Sequence, residues 1–214
     1  MNLAIESSAS VCAVGFFSKN GSLLAEYKSN APMKHSELIG HYIEQGLERV
    51  IETIEFVSVA IGPGSFTGLR IGLSYAQGFC FGKNIPVVGV SNHQVLARQT
   101  GTSKKTFTII DAHRQELYMA GHKNNELRDI ESHKIIKRAE IEKELPENSQ
   151  LVYAKGTLDK TTEGKLSKRN ILCFETDYKT SVLSELGQIK YNLQGGDNPE
   201  TLEPMYIRSF AGVE

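Results

Sequence analysis

The glycine-rich segment Gly62-Pro-Gly-Ser-Phe-Thr-Gly-Leu-Arg-Ile-Gly72 has the residue types for two kinds of chemistry. It follows an apolar strand pattern and enters a helix, so its backbone N–H groups could bind an anion at the helix start. Alternatively, its glycines could let the backbone of a second helix approach closely. Each interior glycine costs a helix about 1 kcal/mol relative to alanine, so a favourable contact must offset them.

The spacing of the small residues favours close packing over anion binding. An anion site would concentrate glycines in the first helical turn, whereas small residues recur every four positions along the whole helix: Gly64, Gly68, Gly72 and Ala76, with Ser74, Gly78 and Gly82 on a neighbouring row. The packing partner is open at this point. It could be the chain's own helix near residues 37–51, another protein, or both on different faces.

Other catalytic and metal-binding arrangements are not favoured. Ser65 lacks the Gly-x-Ser-x-Gly frame of a hydrolase nucleophile, and a helix N-cap is the simpler role for it or for Thr67. His35 and His41 lie about 120° apart around a helix, so they cannot readily share one metal ion. The three cysteines are far apart among apolar neighbours, which predicts buried reduced thiols rather than a zinc site or disulfides.

The composition predicts a soluble cytoplasmic protein. The 214 residues are 40% hydrophobic and 23% charged, and the N-terminus has neither a basic leader nor a bilayer-spanning segment. The formal net charge of −1 does not favour autonomous nucleic-acid binding, so an RNA-related role would need a partner to supply most of the phosphate contacts. The nearest basic cluster, residues 165–169, is expected to be a solvated loop.

The order of predicted elements repeats. Each half has three strands followed by alternating helices and strands. The first half has strands at 3–5, 11–17, 22–28, 56–61 and 87–90 and helices at 37–51 and 92–99 around the glycine-rich helix. The second half has strands at 106–110, 116–122, 133–136, 151–154 and 171–174 and helices at 139–145 and 179–193.

This order predicts an α/β fold of two ribonuclease-H-like domains in the actin-like ATPase (ASKHA) architecture, with mixed sheets flanked by helices. The turn-rich linker at 101–105 separates them. The expected domains are residues 1–102, which carry the glycine-rich helix, and residues 103–214, a smaller α/β domain with the C-terminal tail.

Short motifs along the chain resemble those of the TsaB (YeaZ) family of bacterial tRNA threonylcarbamoyladenosine (t6A) modification. In order, they are Leu3-Ala-Ile-Glu-Ser-Ser8, His35-Ser36, the segment 62–72, Pro86-Val-Val-Gly-Val-Ser91, Asp111-Ala-His-Arg114 and Pro204-Met-Tyr-Ile-Arg208. The glycine-rich segment is the most specific of these motifs. Together they span nearly the whole chain.

The resemblance implies a non-catalytic scaffold subunit. Such a subunit pairs with the catalytic paralogue TsaD and the ATPase TsaE, which together transfer threonylcarbamoyl to adenosine 37 of tRNAs reading ANN codons. A homodimer is implied when TsaD is absent. Two alternatives stay open: a nucleotide-dependent phosphotransferase of the same superfamily, and, more remotely, a glycoprotein peptidase.

Phosphotransferases of this architecture hold nucleotide and metal between two acid-bearing, glycine-rich loops. Glu6, Ser7 and Ser8 in the first loop are the candidate cofactor-binding residues, although glutamate stands where aspartate is more usual. The second loop, residues 111–115, has no glycine, which disfavours a phosphate site. We therefore expect no catalytic residue, no metal and no cofactor of its own, with ATP and magnesium bound only in the complex with TsaD and TsaE.

The resemblance also implies that the glycine-rich helix and the helix before it pack on a partner. The stripe of small residues would then admit a foreign backbone, with neighbouring tyrosine and leucine side chains as anchors. The expected partner interface is Tyr42, Gly64, Gly68, Leu69, Gly72, Tyr75 and Ala76, with His35 as a further candidate.

Overall fold

The computed structural model describes residues 1–30, 34–101 and 103–207. The chain forms two compact units, each built on a five-stranded mixed sheet. The first unit contains Met1–Val95 and Tyr178–Pro204, and the second contains Leu96–Asp177 and the residues from Met205.

The sheet of the first unit has the strand order β3-β2-β1-β4-β5. Its strands are β1 (Asn2–Glu6), β2 (Cys12–Phe17), β3 (Leu23–Ser29), β4 (Phe56–Gly62) and β5 (Val87–Ser91). Strands β1, β2 and β3 form an antiparallel meander, while β1, β4 and β5 are parallel. The carboxyl ends of β1, β4 and β5 therefore meet at one edge of the sheet.

Helices cover both faces of this sheet, because alternate strand residues point to opposite sides. Helices α1 (His35–Arg49) and α2 (Phe66–Lys83) lie on the face of Ile5 and Phe16, where a Cβ on Gly46 would meet the Phe16 ring. Helix α6 (Thr180–Gln194) lies on the other face, where a Cβ on Gly187 would lie 1.9 Å from Ser58 Oγ. The core is thus two apolar layers around one sheet.

The division of the chain differs from the predicted boundary, which placed all of residues 103–214 in the second domain. Helix α6 returns to the first sheet, where Ser184 Oγ donates a hydrogen bond to Asn2 Oδ1 at 2.7 Å. Its small residues fit closely against β4, so the packing surface of α6 matches the first sheet.

The segment after α6 covers the outer edge of β5. Asp197 forms a single antiparallel bridge with Val87, and its carboxylate accepts a hydrogen bond from Gly89 N at 2.8 Å. Lys190 Nζ donates to Gly89 O at 2.9 Å and pairs with Asp197 at 2.7 Å. These contacts occupy the amide and carbonyl of Gly89 and the carbonyl of Val87, which are backbone groups that an edge strand otherwise exposes.

The sheet of the second unit has the strand order β10-β9-β6-β7-β8. Its strands are β6 (Thr106–Asp111), β7 (Glu116–His122), β8 (Ile130–Lys137), β9 (Gln150–Ala154) and β10 (Leu172–Thr176). The short helix α3 (Asn92–Arg98) precedes them, and α4 (Ile141–Glu144) and α5 (Lys160–Ser167) connect the later strands. Each unit therefore has the predicted three-strand meander followed by parallel strands, as ribonuclease-H-like domains do.

Residues 165–169 are not the solvated loop that the sequence suggested. Lys165 lies in α5 and pairs with Glu142 at 3.1 Å. Arg169 donates to the carbonyls of Glu142 and, at 3.1 Å, of Leu145. The two basic side chains join α5 to α4, so they serve packing inside the second unit.

Candidate functional site

The start of α2 is held by its own side chains and by the loop after β1. Ser65 caps the helix, since its hydroxyl accepts a hydrogen bond from Gly68 N at 3.3 Å, as predicted from the sequence. Ser65 N in turn donates to Ser8 O at 2.7 Å. The loop that follows β1 and the start of α2 are therefore one structural site.

The glycine stripe packs against this loop of the same chain. A Cβ on Gly64 would lie 2.6 Å from Ser8 O, one on Gly68 would lie 2.0 Å from Ser7 O, and one on Gly72 would lie 2.1 Å from Ser7 Oγ. Ser7 Oγ also donates to Gly68 O at 2.9 Å. The backbone that needs the glycines is the chain's own.

This packing corrects the predicted interface. Gly64, Gly68 and Gly72 cannot admit a foreign backbone where the loop already lies, and Leu69 and Ala76 are 2% and 0% exposed. We call Gly64, just before α2, together with Gly68, Leu69, Gly72 and Ala76 of the helix, the inner stripe of α2. The four-residue spacing correctly indicated close packing, but it does not reveal which segment fills the groove.

His35 is also buried, at 7% exposure, so it offers little surface to a partner. Tyr42 and Tyr75 are half-buried. The Tyr42 ring stacks on Tyr27 with centroids 5.8 Å apart, and the Tyr75 hydroxyl lies 3.3 Å from where a Cβ on Gly40 would be. Both tyrosines are partly exposed, so their role at an interface stays a prediction.

The other face of α2 is open. Ser74, Gly78 and Gly82 are exposed along it, and a Cβ on Gly78 or Gly82 would meet no described atom within 4 Å. Beside this row, the Phe81 side chain is 78% exposed, a large apolar group in water. We call Ser74, Gly78, Phe81 and Gly82 the outer row of α2.

The candidate cofactor residues Glu6, Ser7 and Ser8 do come together, in a buried polar cluster. Glu6 is 1% exposed, and its Oε1 accepts hydrogen bonds from Ser8 N at 2.7 Å and from Ser8 Oγ. Asn92 Nδ2 donates to the same Ser8 hydroxyl. Within the described chain, Glu6 Oε2 and Asn92 Oδ1 have no hydrogen-bond partner.

Burial raises the pKa of Glu6 from 4.5 to about 7, although the two hydrogen bonds from Ser8 oppose the shift. Two titratable groups face this carboxyl. Burial and the nearby Glu6 charge raise the pKa of the Cys12 thiol to about 11, and the same two causes raise the pKa of Tyr178. Both neighbours are thus neutral near pH 7, and Glu6 has no described cation beside it.

This arrangement does not resemble an open phosphate site. Ser8 N binds the Glu6 carboxyl, the Ser7 and Ser8 carbonyls lie against α2, and the Glu6 side chain is enclosed. A phosphate site needs backbone N–H groups that point into free space.

Asn92 was missed by the sequence analysis. Its position directly after β5, beside the ends of β1 and β4, was the available signal, because parallel strands place their carboxyl ends at one edge.

The second acid-bearing loop, between β6 and β7, is held in an unusual conformation. His113, Arg114 and Gln115 all have positive φ, at 60°, 51° and 64°. The Asp111 carboxylate accepts a hydrogen bond from His113 N at 3.1 Å and pairs with Arg138 at 3.0 Å. The amide of His113 is thereby used inside the loop.

In residues 1–30, 34–101 and 103–207, no three His, Cys, Asp or Glu side chains cluster in a way that could hold a metal ion. No helix in the same residues is long and apolar enough to cross a membrane. Arg208, which ends the last resemblance motif, lies outside the described part of the chain.

Residues 27–194 match the family described as TsaD, tRNA N6-adenosine threonylcarbamoyltransferase. The chain is 30% identical over 131 residues to the tRNA threonylcarbamoyladenosine biosynthesis protein TsaB of Escherichia coli K12; this match covers 58% of the chain but only 55% of that relative. It is 23% identical over 225 residues to the protein of the same name from Haemophilus influenzae, covering 97% of the chain and 93% of the relative.

Among solved structures, YeaZ from Pseudomonas aeruginosa matches with a TM-score of 0.75 at 19% identity, covering 96% of this chain and 98% of that one. This likeness supports the ribonuclease-H-like, actin-like fold. The family match covers more than half of the chain, and the named relatives are t6A biosynthesis proteins. The chain therefore belongs to the family described as TsaD, tRNA N6-adenosine threonylcarbamoyltransferase, and proteins named TsaB are among its relatives.

Proposed function

We propose that this protein is a non-catalytic scaffold subunit of the cytoplasmic t6A machinery. It pairs with a TsaD-like paralogue and acts with a TsaE-like ATPase, so that threonylcarbamoyl reaches adenosine 37 of tRNAs reading ANN codons. It forms a homodimer when the paralogue is absent and contacts tRNA only through the complex. The names of its relatives support a place in t6A biosynthesis.

The observation that carries the proposal is the packing of the first loop against α2. In a phosphotransferase this loop would contribute open amides and an accessible acid to a nucleotide. Here the Ser7 carbonyl fills the groove at Gly68, and Glu6 is enclosed with Ser8 and Asn92. The loop supports a helix, which fits a docking role better than ATP turnover. ATP and magnesium are accordingly assigned to the complex.

We assign the partner contact to the outer row of α2, with Tyr75 and Tyr42 beside it. A helix face that exposes small residues lets another helix approach closely, and an adjacent aromatic side chain supplies apolar area. Gly78 provides the space and Phe81 the apolar contact. The inner stripe would support this face from behind.

A substitution at Gly78 tests the assignment. Gly78→Arg has room in the free protein, because a Cβ there meets no described atom within 4 Å, but it would block close approach of a partner helix. We expect at least about a tenfold loss of affinity for the TsaD-like paralogue in titration calorimetry. Gly164→Arg is the matched control, since Gly164 is an equally open glycine in α5 of the second unit.

The same variants should be compared in a host depleted of this protein, with t6A measured in bulk tRNA. Gly164→Arg should restore t6A to the wild-type level and Gly78→Arg should not. Equal restoration by both, with undiminished association, would reject the outer row as the interface. Magnesium-dependent ATP turnover by the purified protein alone would instead favour the phosphotransferase.

A further inference from the structure

The loop between β6 and β7 carries backbone strain at three consecutive residues. His113, Arg114 and Gln115 adopt the left-handed region, where side chains other than glycine crowd the backbone. In the described part of the chain, three of the other four non-glycine residues with positive φ are the isolated asparagines Asn84, Asn148 and Asn170, a residue type that tolerates this region. Glycine would relieve the loop at each of its positions, yet the sequence has none there.

The surrounding contacts hold this conformation firmly. Asp111 accepts a hydrogen bond from His113 N at 3.1 Å and one from the Arg138 guanidinium at 3.0 Å. Arg138 N donates to Gln115 O at 2.8 Å, and Glu116 N donates to His113 O at 2.9 Å. The loop is therefore held at both ends. The direction in which the Arg114 side chain leaves the backbone is held with it.

The central residue of the loop, Arg114, carries a positive charge that no described neighbour pairs with. Arg114 is exposed and makes no hydrogen bond or ion pair to any described residue. The nearby Asp111 carboxylate is already paired with Arg138. A strained backbone that aims an unpaired guanidinium into solvent is more readily explained by a binding role than by folding.

We propose that Arg114 is a contact residue that binds a carboxylate of the TsaD-like partner through a bidentate ion pair. The inference rests on the proposed function and adds a second contact to it. A guanidinium fits the two oxygens of a carboxylate in one plane, and a fixed loop reduces the entropy lost on binding. A protein carboxylate is favoured over phosphate for two reasons. The His113 amide, which a phosphate would need as a donor, already binds the Asp111 carboxylate, and the negative charge of Asp111 lies at the same loop.

Paired glycine substitutions separate binding from folding. Arg114→Gly and Gln115→Gly relieve the same kind of backbone strain, so both should raise Tm, by roughly 2–4 °C. Only Arg114→Gly removes the guanidinium. It should weaken association with the TsaD-like paralogue about tenfold, whereas Gln115→Gly should leave it within about twofold of wild type. Arg114→Lys should fall between the two, because lysine keeps the charge but not the planar pair of donors.

Comparison of Arg114→Gly with Gly78→Arg distinguishes failure of the Arg114 contact from failure of the proposed function. If Gly78→Arg abolishes association while Arg114→Gly binds like wild type, the Arg114 contact is wrong and the proposed function stands. If the wild-type protein does not bind the paralogue, both proposals fail. Saturable binding of inorganic phosphate, ATP or tRNA to the lone protein, lost in Arg114→Gly without a change in paralogue binding, would assign the loop to phosphate and overturn the carboxylate contact.

Discussion

Glu6 is a carboxyl group enclosed at the end of β1, with Oε2 unsatisfied in the described chain and Asn92 Oδ1 unsatisfied in the same cluster. Both unsatisfied atoms are acceptors in the ionised state of Glu6, and a proton on the carboxyl would supply a donor. Burial of the Glu6 carboxyl raises its pKa to about 7, against the opposing hydrogen bonds from Ser8. The residue acts as a neutral acid below that pH.

Glu6→Gln should remove a pH dependence of stability. The folded protein keeps this proton up to about pH 7, whereas the unfolded chain loses it near 4.5, so the contribution of Glu6 is greatest below pH 4.5 and is lost as the pH rises to 7. Between pH 5 and pH 8 the free energy of unfolding of the wild type should fall by roughly 2–3 kcal/mol relative to that of Glu6→Gln, measured by urea unfolding. Glutamine keeps the shape of the protonated acid without its titration.

Glu48→Gln provides the control, because Glu48 is an exposed glutamate on α1. Its unfolding free energy should follow the wild type at both pH values. Parallel profiles for wild type and Glu6→Gln would mean that the Glu6 carboxyl is ionised and compensated in the folded state, contrary to the enclosed cluster.

At the scale of elements, α2 has two rows of small residues with opposite roles. The inner stripe receives the loop after β1, and the outer row is open. The two rows make contrasting predictions for the same substitution, glycine to alanine, whose intrinsic effect in a helix is a gain of about 1 kcal/mol.

Gly68→Ala should destabilise the protein by about 1–3 kcal/mol, because a Cβ would lie 2.0 Å from the Ser7 carbonyl oxygen and the backbone would have to move. Gly72→Ala should cost less, since its obstacle is the Ser7 hydroxyl, which can rotate. Gly78→Ala should stabilise by about 0.5–1 kcal/mol. Denaturant unfolding of the three variants gives the order, and equal effects at Gly68 and Gly78 would contradict the two-row description.

The sequence predicted most elements because their apolar periodicities are strong, as in β1, β4 and α1. It missed α5, whose Thr161, Thr162 and Gly164 are poor helix formers, although Asp159 caps the helix by accepting a hydrogen bond from Thr162 N at 2.9 Å. Tertiary packing of Leu166 stabilises this helix, and no local pattern reports it.

The sequence could not predict which surfaces meet. The four-residue spacing of the inner stripe required a close neighbour, but Ser7 is 61 residues from Gly68 and belongs to no helix. The amphipathic pattern of α6 likewise does not say which sheet it covers. Both errors have one cause, since periodicity defines a face but not the segment that packs on it.

At the scale of the whole molecule, charge limits what the protein binds alone. With a formal net charge of −1, and with Lys165 and Arg169 engaged by α4, little positive field is available for a polyanion. The isolated protein should bind tRNA with Kd weaker than about 10⁻⁵ M at physiological salt, measured by filter binding. Tighter binding without the paralogue would argue against an indirect tRNA role.

The pairing of Asp197 and Lys190 with the backbone of β5 limits the addition of a further strand at this edge of the first sheet. The amide and carbonyl of Gly89 and the carbonyl of Val87 are occupied by the returning chain, so these groups are not open to an incoming extended peptide. A partner cannot lengthen the first sheet on that side by strand addition.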